Sequence, residues 1–389
     1  MDAQEQGWQD TSGRQVVHLD LDSFFVSVER LQNSALLGKP VIIGGSSDRG
    51  VVSSCSYEAR RFGVSSAMPM KLARQLCPEA VCIRGDMDLY SKYSDMVTDV
   101  IAEKAPLFEK ASVDEHFLDV TGMDRFFGTV QWTRELRATL IRETGLPVSF
   151  GLSVNKTVAK MATSEGKPNG ERMVSEKEVK PFLWPLSIRK IPMIGEKTYM
   201  KLRSMGISII QTLGAVPPEM LESVMGSNGR VLWLKANGID HAPVEPYSER
   251  KSLSAETTFD KDTTDTDNIR RLLIKMVEEL CFTLRKEEKL TSCVTIKIRY
   301  SDFDTRTMQK KIAYTSLDHV IMEVATELFT RLYTRRMLIR LIGVKLSGLV
   351  HGMQQIQLFD DTQRKASLYT AIDRMKQRFG DDCIGRACG

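Results

Sequence analysis

Three carboxylates in two similar settings are the residues best placed to do chemistry. Asp114 and Glu115 open an alternating apolar stretch, SVDEHFLDVTG over 112–122, and such alternation reads as a half-buried β-strand. Successive side chains of a regular strand point to opposite faces. Both acids therefore serve one site only where the strand begins or is distorted, which places them at a strand end facing a cleft. The segment VVHLDLD over 16–22 is a second apolar strand ending in acid. Asp20 and Asp22 share a face there, so spacing alone does not choose between them. Three acids at two strand ends form a cage suited to Mg²⁺, which prefers oxygen ligands. Acids gathered this way repel one another unless cations neutralise them. Two such ions about 4 Å apart make the clamp used for in-line phosphoryl transfer. A lone Asp-Glu pair is more often a solvated pair of acids, so the rest of the chain has to decide.

The chain has 389 residues, more than one ordinary core holds, with 42% apolar and 27% charged residues, as in a globular protein. No apolar run reaches membrane-spanning length. Residues 1–14 are polar and lack the apolar centre of a signal peptide, so they read as a flexible leader on a cytoplasmic protein with no membrane association. The seven cysteines are scattered, without zinc-ligand spacing, and are expected to be reduced. The net charge of +4 says little, but residues 250–350 hold 19 Lys/Arg against 14 Asp/Glu. A basic module on a near-neutral body suits a polyanionic partner.

Elements must position the acids. A strand over 15–22 leads into a helix over 23–31, which Asp22 could cap. Short strands at 40–45 and 51–54 and helices at 57–62 and 70–76 follow. Periodicity predicts a strong amphipathic helix over 88–105, then the strands around Asp114, a helix over 123–144, a strand at 148–154 and a helix at 155–165. Glycine-rich dinucleotide and P-loop signatures are absent. The fold class is therefore α+β with an antiparallel or mixed sheet rather than a doubly wound one. Over 176–245 short helices are broken by Pro and Gly. Ile191-Pro192-Met193-Ile194-Gly195 between two of them predicts a helix-hairpin-helix, whose free backbone N–H groups can hold a phosphate; an ordinary helical corner is the alternative. Residues 252–350 read strand, helix, strand, strand, helix, strand, the order of a ferredoxin-like domain. Lys297 and Arg299 alternate there with apolar residues, giving one buried and one basic face. A short helix is expected over 366–379.

Four segments in series give the chain a family likeness: HLDLDSFFVSVE at 18–29, SYEARRFGVSSAMP at 56–69, SVDEHFLDVTG at 112–122 and GLSVNKTVAKMATSEGKPNG at 151–170. With them the chain resembles the Y-family DNA polymerases, most closely their bacterial DinB type, over nearly its whole length. The resemblance implies a right-hand polymerase. Its parts would be a palm at 15–23 and 87–175, fingers at 24–86, a helix-hairpin-helix thumb at 176–245, a linker at 246–251, a ferredoxin-like little finger at 252–350 and a tail at 351–389. It also implies low-fidelity, lesion-bypassing synthesis on primer-template DNA without proofreading, by a monomer.

Carried over position by position, the resemblance makes Asp20, Asp114 and Glu115 the carboxylates for two Mg²⁺ ions, beside the Leu21 backbone carbonyl, and leaves Asp22 structural. Tyr57, Arg60 and Lys167 match the triphosphate contacts of the incoming dNTP. Phe25 matches the steric gate that excludes a 2′-hydroxyl, and Phe24 its neighbour in the pocket. Ser53 and Ala67 are small where the fingers would cover the templating base. Ile194, Gly195 and Lys197 of the thumb and Lys297 and Arg299 of the little finger are the expected DNA contacts. Gln355, Leu358 and Phe359, within 355–359, look like the peptide that binds the sliding clamp, although about 30 residues follow it. His116, Phe117 and Ser164 depart from commoner family residues without removing a ligand. A catalytically silent accessory protein of the same family is the alternative; such proteins lose the acids, and this chain keeps all three.

Overall fold

In the computed structural model, the described residues are 13–123, 128–352, 362–380 and 383–385. Residues 1–12, most of the predicted leader, and the whole clamp-type peptide at 355–359 lie outside them. The chain divides into two units, 1–248 and 249–389, and the division falls within the predicted linker.

The first unit is built on a five-stranded sheet. Strand β1 (Val16–Leu21) lies at its centre, flanked by β6 (Glu115–Asp119) and β7 (Val148–Ser153), with β5 (Phe108–Lys110) and β8 (Glu171–Met173) at the edges. Among β1, β5, β6 and β7, the third strand in chain order lies between the first two, which is the ferredoxin order. β1 and β7 are buried along their whole length, as expected of a sheet covered on both faces. One face carries Val17, Leu19 and Leu21 into a core shared with Leu118, Phe150 and the helices α1 (Phe24–Gln32), α4 (Met87–Lys104) and α5 (Thr129–Thr144). Helix α1, assigned with the fingers, thus packs into the palm.

The other face carries His18 and Asp20 and is covered by α6 (Lys156–Gly166). Gly151, opposite His18, makes this possible: a Cβ there would stand 2.2 Å from the Ala159 carbonyl oxygen. Asn155 starts α6 by accepting from the Val158 N–H.

Between β1 and β5 is inserted a small sheet of β2 (Val41–Gly44), β3 (Val52–Cys55) and β4 (Val81–Ile83), with the one-turn helix α2 (Tyr57–Arg60) and α3 (Met70–Leu76). Its own core contains Ile42, Val52, Cys55, Met70 and Cys77. After β8, five short helices run from Val179 to Ala236, and Ile194 and Gly195 lead into α8 (Glu196–Ser204). Their core takes in Val158, Met161 and Ala162 from α6, so thumb and palm share one helix.

Two predicted features differ. The helix expected from residue 123 starts at Thr129, after Gly128 at φ 70. Asp22 does not cap α1: Ser23 is the N-cap, at φ 45, and the Asp22 side chain turns the other way.

In the second unit, β9 (Ser252–Thr263), β10 (Lys289–Tyr300), β11 (Thr305–Thr315) and β12 (Ile339–Ser347) form an antiparallel sheet under α12 (Thr266–Lys286) and α13 (Asp318–Leu332). The expected element order is present. The strand order is not the ferredoxin one, because the fourth strand, β12, lies between the first two. Periodicity gives the strands but not their neighbours. The final helix, α14 (Thr362–Phe379), is tied to this unit by Arg285, which donates to both Asp373 oxygens (2.6 and 2.9 Å) and to Asp318.

His116 on β6 is buried against α4, where its Nε2 meets Thr98 Oγ1 at 3.1 Å. Burial, aided by Lys110, pushes its pKa down to about 4. The unfolded chain therefore takes up the proton first, and stability is lost as pH falls from about 6.5 towards 4. His18, also held down by burial, acts in the same direction. Urea denaturation from pH 7 to 4.5 should show a loss for His116 on the order of 3 kcal/mol, and His116→Ala should flatten that dependence. An unchanged slope in the variant would contradict this assignment.

Candidate active site

Pairing between β1 and β6 creates the site. Asp20 lies directly opposite Glu115, so both carboxylates leave the same face of the sheet. Asp114 is the residue before β6, where its carbonyl accepts from the Leu21 N–H at 3.0 Å and its carboxylate accepts from Ser112 Oγ at 2.5 Å. The acids thus stand at a strand start, where adjacent residues need not point apart. Ligand atoms of His18, Asp20 and Glu115 lie within 4.8 Å of one another. Asp114 is not one of that group, yet it is close enough to disfavour charge on Asp20.

Two lysines supply the positive charge. Lys167 Nζ pairs with Asp20 Oδ1, and Lys160 Nζ with Glu115 Oε2 at 2.5 Å. Burial still raises Asp20 to about 7; Lys167 pulls it down while Glu115 and Asp114 push it up. At Glu115 burial also pushes upward, but His18 and Lys160 outweigh it and hold the carboxyl well below its usual range. Three crowded acids suit a site completed by divalent cations, and their carboxylate oxygens suit a hard ion.

Asp22 is a brace. Its Oδ2 accepts from Ser149 Oγ (2.7 Å) and the Asn169 N–H (2.6 Å), and its Oδ1 from the Tyr57 hydroxyl (3.2 Å). It therefore joins the end of β1 to β7, to the turn after Lys167 and to α2. Arg137 holds that turn from the other side through the Asn169 carbonyl and side-chain oxygens. Arg60 is exposed, its guanidinium 4.6 Å from the Tyr57 ring centroid. Lys167, Tyr57 and Arg60 thus surround the Asp20–Asp22 end of β1.

The two phenylalanines are neighbours that differ in exposure, their ring centroids 5.5 Å apart. Phe24 is buried in the palm core. Phe25 is partly exposed and stacks on Tyr90, centroids 4.3 Å apart and rings 14° from parallel. The Tyr90 hydroxyl donates to Glu29 at 2.6 Å, so the ring under Phe25 is itself fixed. Ser53 and Ala67 are exposed on adjoining segments of the fingers, linked by Ala67 N–H to the Val52 carbonyl at 2.8 Å.

The remaining predicted contacts are spread over both units. In the thumb, Gly195 and Lys197 are exposed, whereas Ile194 packs against the thumb core. Lys297 and Arg299 lie on the open sheet face, with Lys297 paired to Glu256 (2.8 Å) and Arg299 bonded to Thr305 Oγ1 (2.9 Å). Sequence reasoning missed Lys160, Tyr90 and His18. Lys160 lies in a quoted motif, but its partner is a strand away. Tyr90 reads as one more apolar helix position.

A ferredoxin-order palm with acids on neighbouring strand ends, an inserted fingers sheet and a helix-hairpin-helix thumb define a nucleotidyl-transferring polymerase. Residues 19–164 match the impB/mucB/samB family, 176–207 the IMS family HHH motif and 250–358 the impB/mucB/samB family C-terminal domain. DNA polymerase IV of Dehalococcoides mccartyi is 38% identical over 371 residues, covering 94% of this chain and 95% of the relative; that of Desulfatibacillum aliphaticivorans is 37% identical, covering 95% of each. A Y-family DNA polymerase chimera of Dbh and Dpo4 superposes with a TM-score of 0.78 at 29% identity, over 87% of this chain and 100% of the other; an insertion ternary complex of Dbh DNA polymerase gives 0.63 at 28%, with the same coverage. The chain belongs to the impB/mucB/samB family of Y-family DNA polymerases, and it is similar throughout to the DinB type.

Removing the Asp22 carboxylate strands three donors in a largely buried place. Asp22→Ala should lower unfolding free energy by about 2–4 kcal/mol, measured by urea denaturation. A loss under about 1 kcal/mol would mean that the brace is dispensable.

Proposed function

We propose that this DNA-directed DNA polymerase carries out translesion synthesis, adding dNTPs to a primer 3′-hydroxyl, with Asp20, Asp114 and Glu115 as the ligands of two Mg²⁺ ions and the Leu21 carbonyl beside them. The observation that carries the reading is the in-register opposition of Asp20 and Glu115 with Asp114 adjacent. When bound, the cations would supply Lewis-acid stabilisation of charge on the α-phosphate and the leaving pyrophosphate and make the primer hydroxyl a better nucleophile. The chain's own residues do the rest. Lys167, Arg60 and the Tyr57 hydroxyl neutralise and hydrogen-bond the triphosphate. Lys167 and Lys160 offset the acids, which keeps like charges from driving the strand ends apart. Phe25, seated on Tyr90, sets the floor beneath the sugar and excludes a 2′-hydroxyl. Ser53 and Ala67 leave room over the template.

Gly195 and Lys197 at the thumb hairpin and Lys297 and Arg299 on the basic sheet face hold the phosphate backbone of primer-template DNA, with Ile194 keeping the hairpin rigid. The peptide at 355–359 engages the sliding clamp through Gln355, Leu358 and Phe359. We read the protein as a cytoplasmic monomer; among the described residues no helix is long and apolar enough to cross a membrane. Retention of all three acids favours the enzyme over a silent accessory protein.

In a primer-extension assay with Mg²⁺ and dNTPs, Asp114→Ala should reduce synthesis to background. Full activity in that variant would overturn the metal assignment. Phe25→Ala should raise ribonucleotide insertion relative to deoxyribonucleotide insertion by about a hundredfold; unchanged sugar selectivity would remove Phe25 from the gate.

A further inference from the structure

Beneath the acids lies a histidine that neither the motif assignments nor the family matches give a role. His18 precedes Asp20 by two residues on β1, so its ring lies on the same face. Its neighbours in register are Phe117 on β6 and Gly151 on β7. Because residue 151 has no side chain, α6 lies close enough for Thr163 Oγ1 to reach His18 Nδ1 at 2.9 Å. Thr163 Oγ1 also lies 3.0 Å from the carbonyl oxygens of His18 and Ala159; when its single proton goes to Nδ1 instead, the neutral ring carries its own proton on Nε2, the tautomer that can donate to a carboxylate. The Phe117 ring packs against the imidazole at 4.6 Å, tilted by 55°.

The ring is 1% exposed and held by these contacts, yet Nε2 has no hydrogen-bond partner. Leaving a buried polar atom unpaired costs about 1–3 kcal/mol, and a ring needed only to fill space would not carry one. Nε2 faces Glu115 Oε1 at 4.0 Å, inside the 4.8 Å group that also includes Asp20. A shift of roughly 1 Å brings the pair to ordinary hydrogen-bond distance. The other oxygen of Glu115 is held by Lys160, whose side chain is about a third exposed and can swing away; His18 has nowhere to go.

We propose that His18 is a positioning residue for nucleotidyl transfer, holding Glu115 by Oε1 from below so that its second oxygen is left for the cation. The proposal rests on the reading of Glu115 as a metal carboxylate. Residues that orient a ligand in this way typically change metal affinity or activity by tenfold or more.

The test compares His18→Gln, whose amide nitrogen can stand near the place of Nε2, with His18→Asn, whose amide reaches only the place of Nδ1. His18→Leu keeps the volume without either. Single-nucleotide insertion gives kcat and KM, electron paramagnetic resonance gives Mn²⁺ affinity without DNA, and thermal melting reports folding. The expected result is a loss of about tenfold in kcat and in Mn²⁺ affinity for the Asn and Leu variants, with KM for dNTP little changed and Gln restoring most of both. Equal losses in Asn and Gln that track melting temperature, or wild-type kcat and Mn²⁺ affinity in Leu, would overturn the proposal. Glu115→Gln is measured alongside. If it stays active, the metal reading itself fails; if it is inactive while the Leu variant behaves as wild type, only the role of His18 fails.

Discussion

Negative charge confined at the adjoining ends of two inner strands is the constraint on which the rest depends. Antiparallel pairing of β1 with β6 places Asp20 and Glu115 side by side, and Asp114 adds a third acid at the same strand end. Burial raises the cost of every charge there, enough to lift Asp20 to about 7 despite Lys167. Such a site is stable only when positive charge is supplied. In the structure Lys160 and Lys167 supply it, both from α6 and the turn that follows. The same confinement favours positive charge brought to the strand ends, because only positive charge relieves it.

The surroundings of the acids serve to fix them. Asp22, one residue beyond Leu21, joins three separate segments through three hydrogen bonds. Gly151 lets α6 lie against the sheet, and α6 then delivers Lys160 to Glu115 and Thr163 to His18. The helix also gives Val158, Met161 and Ala162 to the thumb core, so the element that holds the acids from one side is rooted in the next part of the chain. Phe25 is positioned in a similar way: Tyr90 lies under it, and Glu29 holds Tyr90.

In the second unit the sheet has one apolar face, packed under α12 and α13, and one basic face left open. Several of its cations are already paired with acids or hydroxyls, as Lys297 is with Glu256. The tail helix is bound to this unit by a two-acid clasp on Arg285 and by stacking of Tyr369 on His319.

The sequence by itself determined what is local. Alternation located β1, β6 and β10, helical periodicity located α4, α6 and α12 within a residue or two, and the family resemblance of four short motifs singled out Asp20, Asp114, Glu115, Tyr57, Arg60 and Lys167. Each of these signals needs only residues near one another in the chain. Only the tertiary structure decided which strands are neighbours, and with them the facts that carry the chemistry. Those are the opposition of Asp20 and Glu115, the burial of Phe24 beside a partly exposed Phe25 stacked on Tyr90, the turn of Asp22 away from its expected cap, and the place of β12 between β9 and β10. His18 reads in the sequence as one buried strand residue among several. Its unpaired nitrogen beneath Glu115 exists only because two distant strands pair in one register, and a one-residue slip would have turned it to the opposite face.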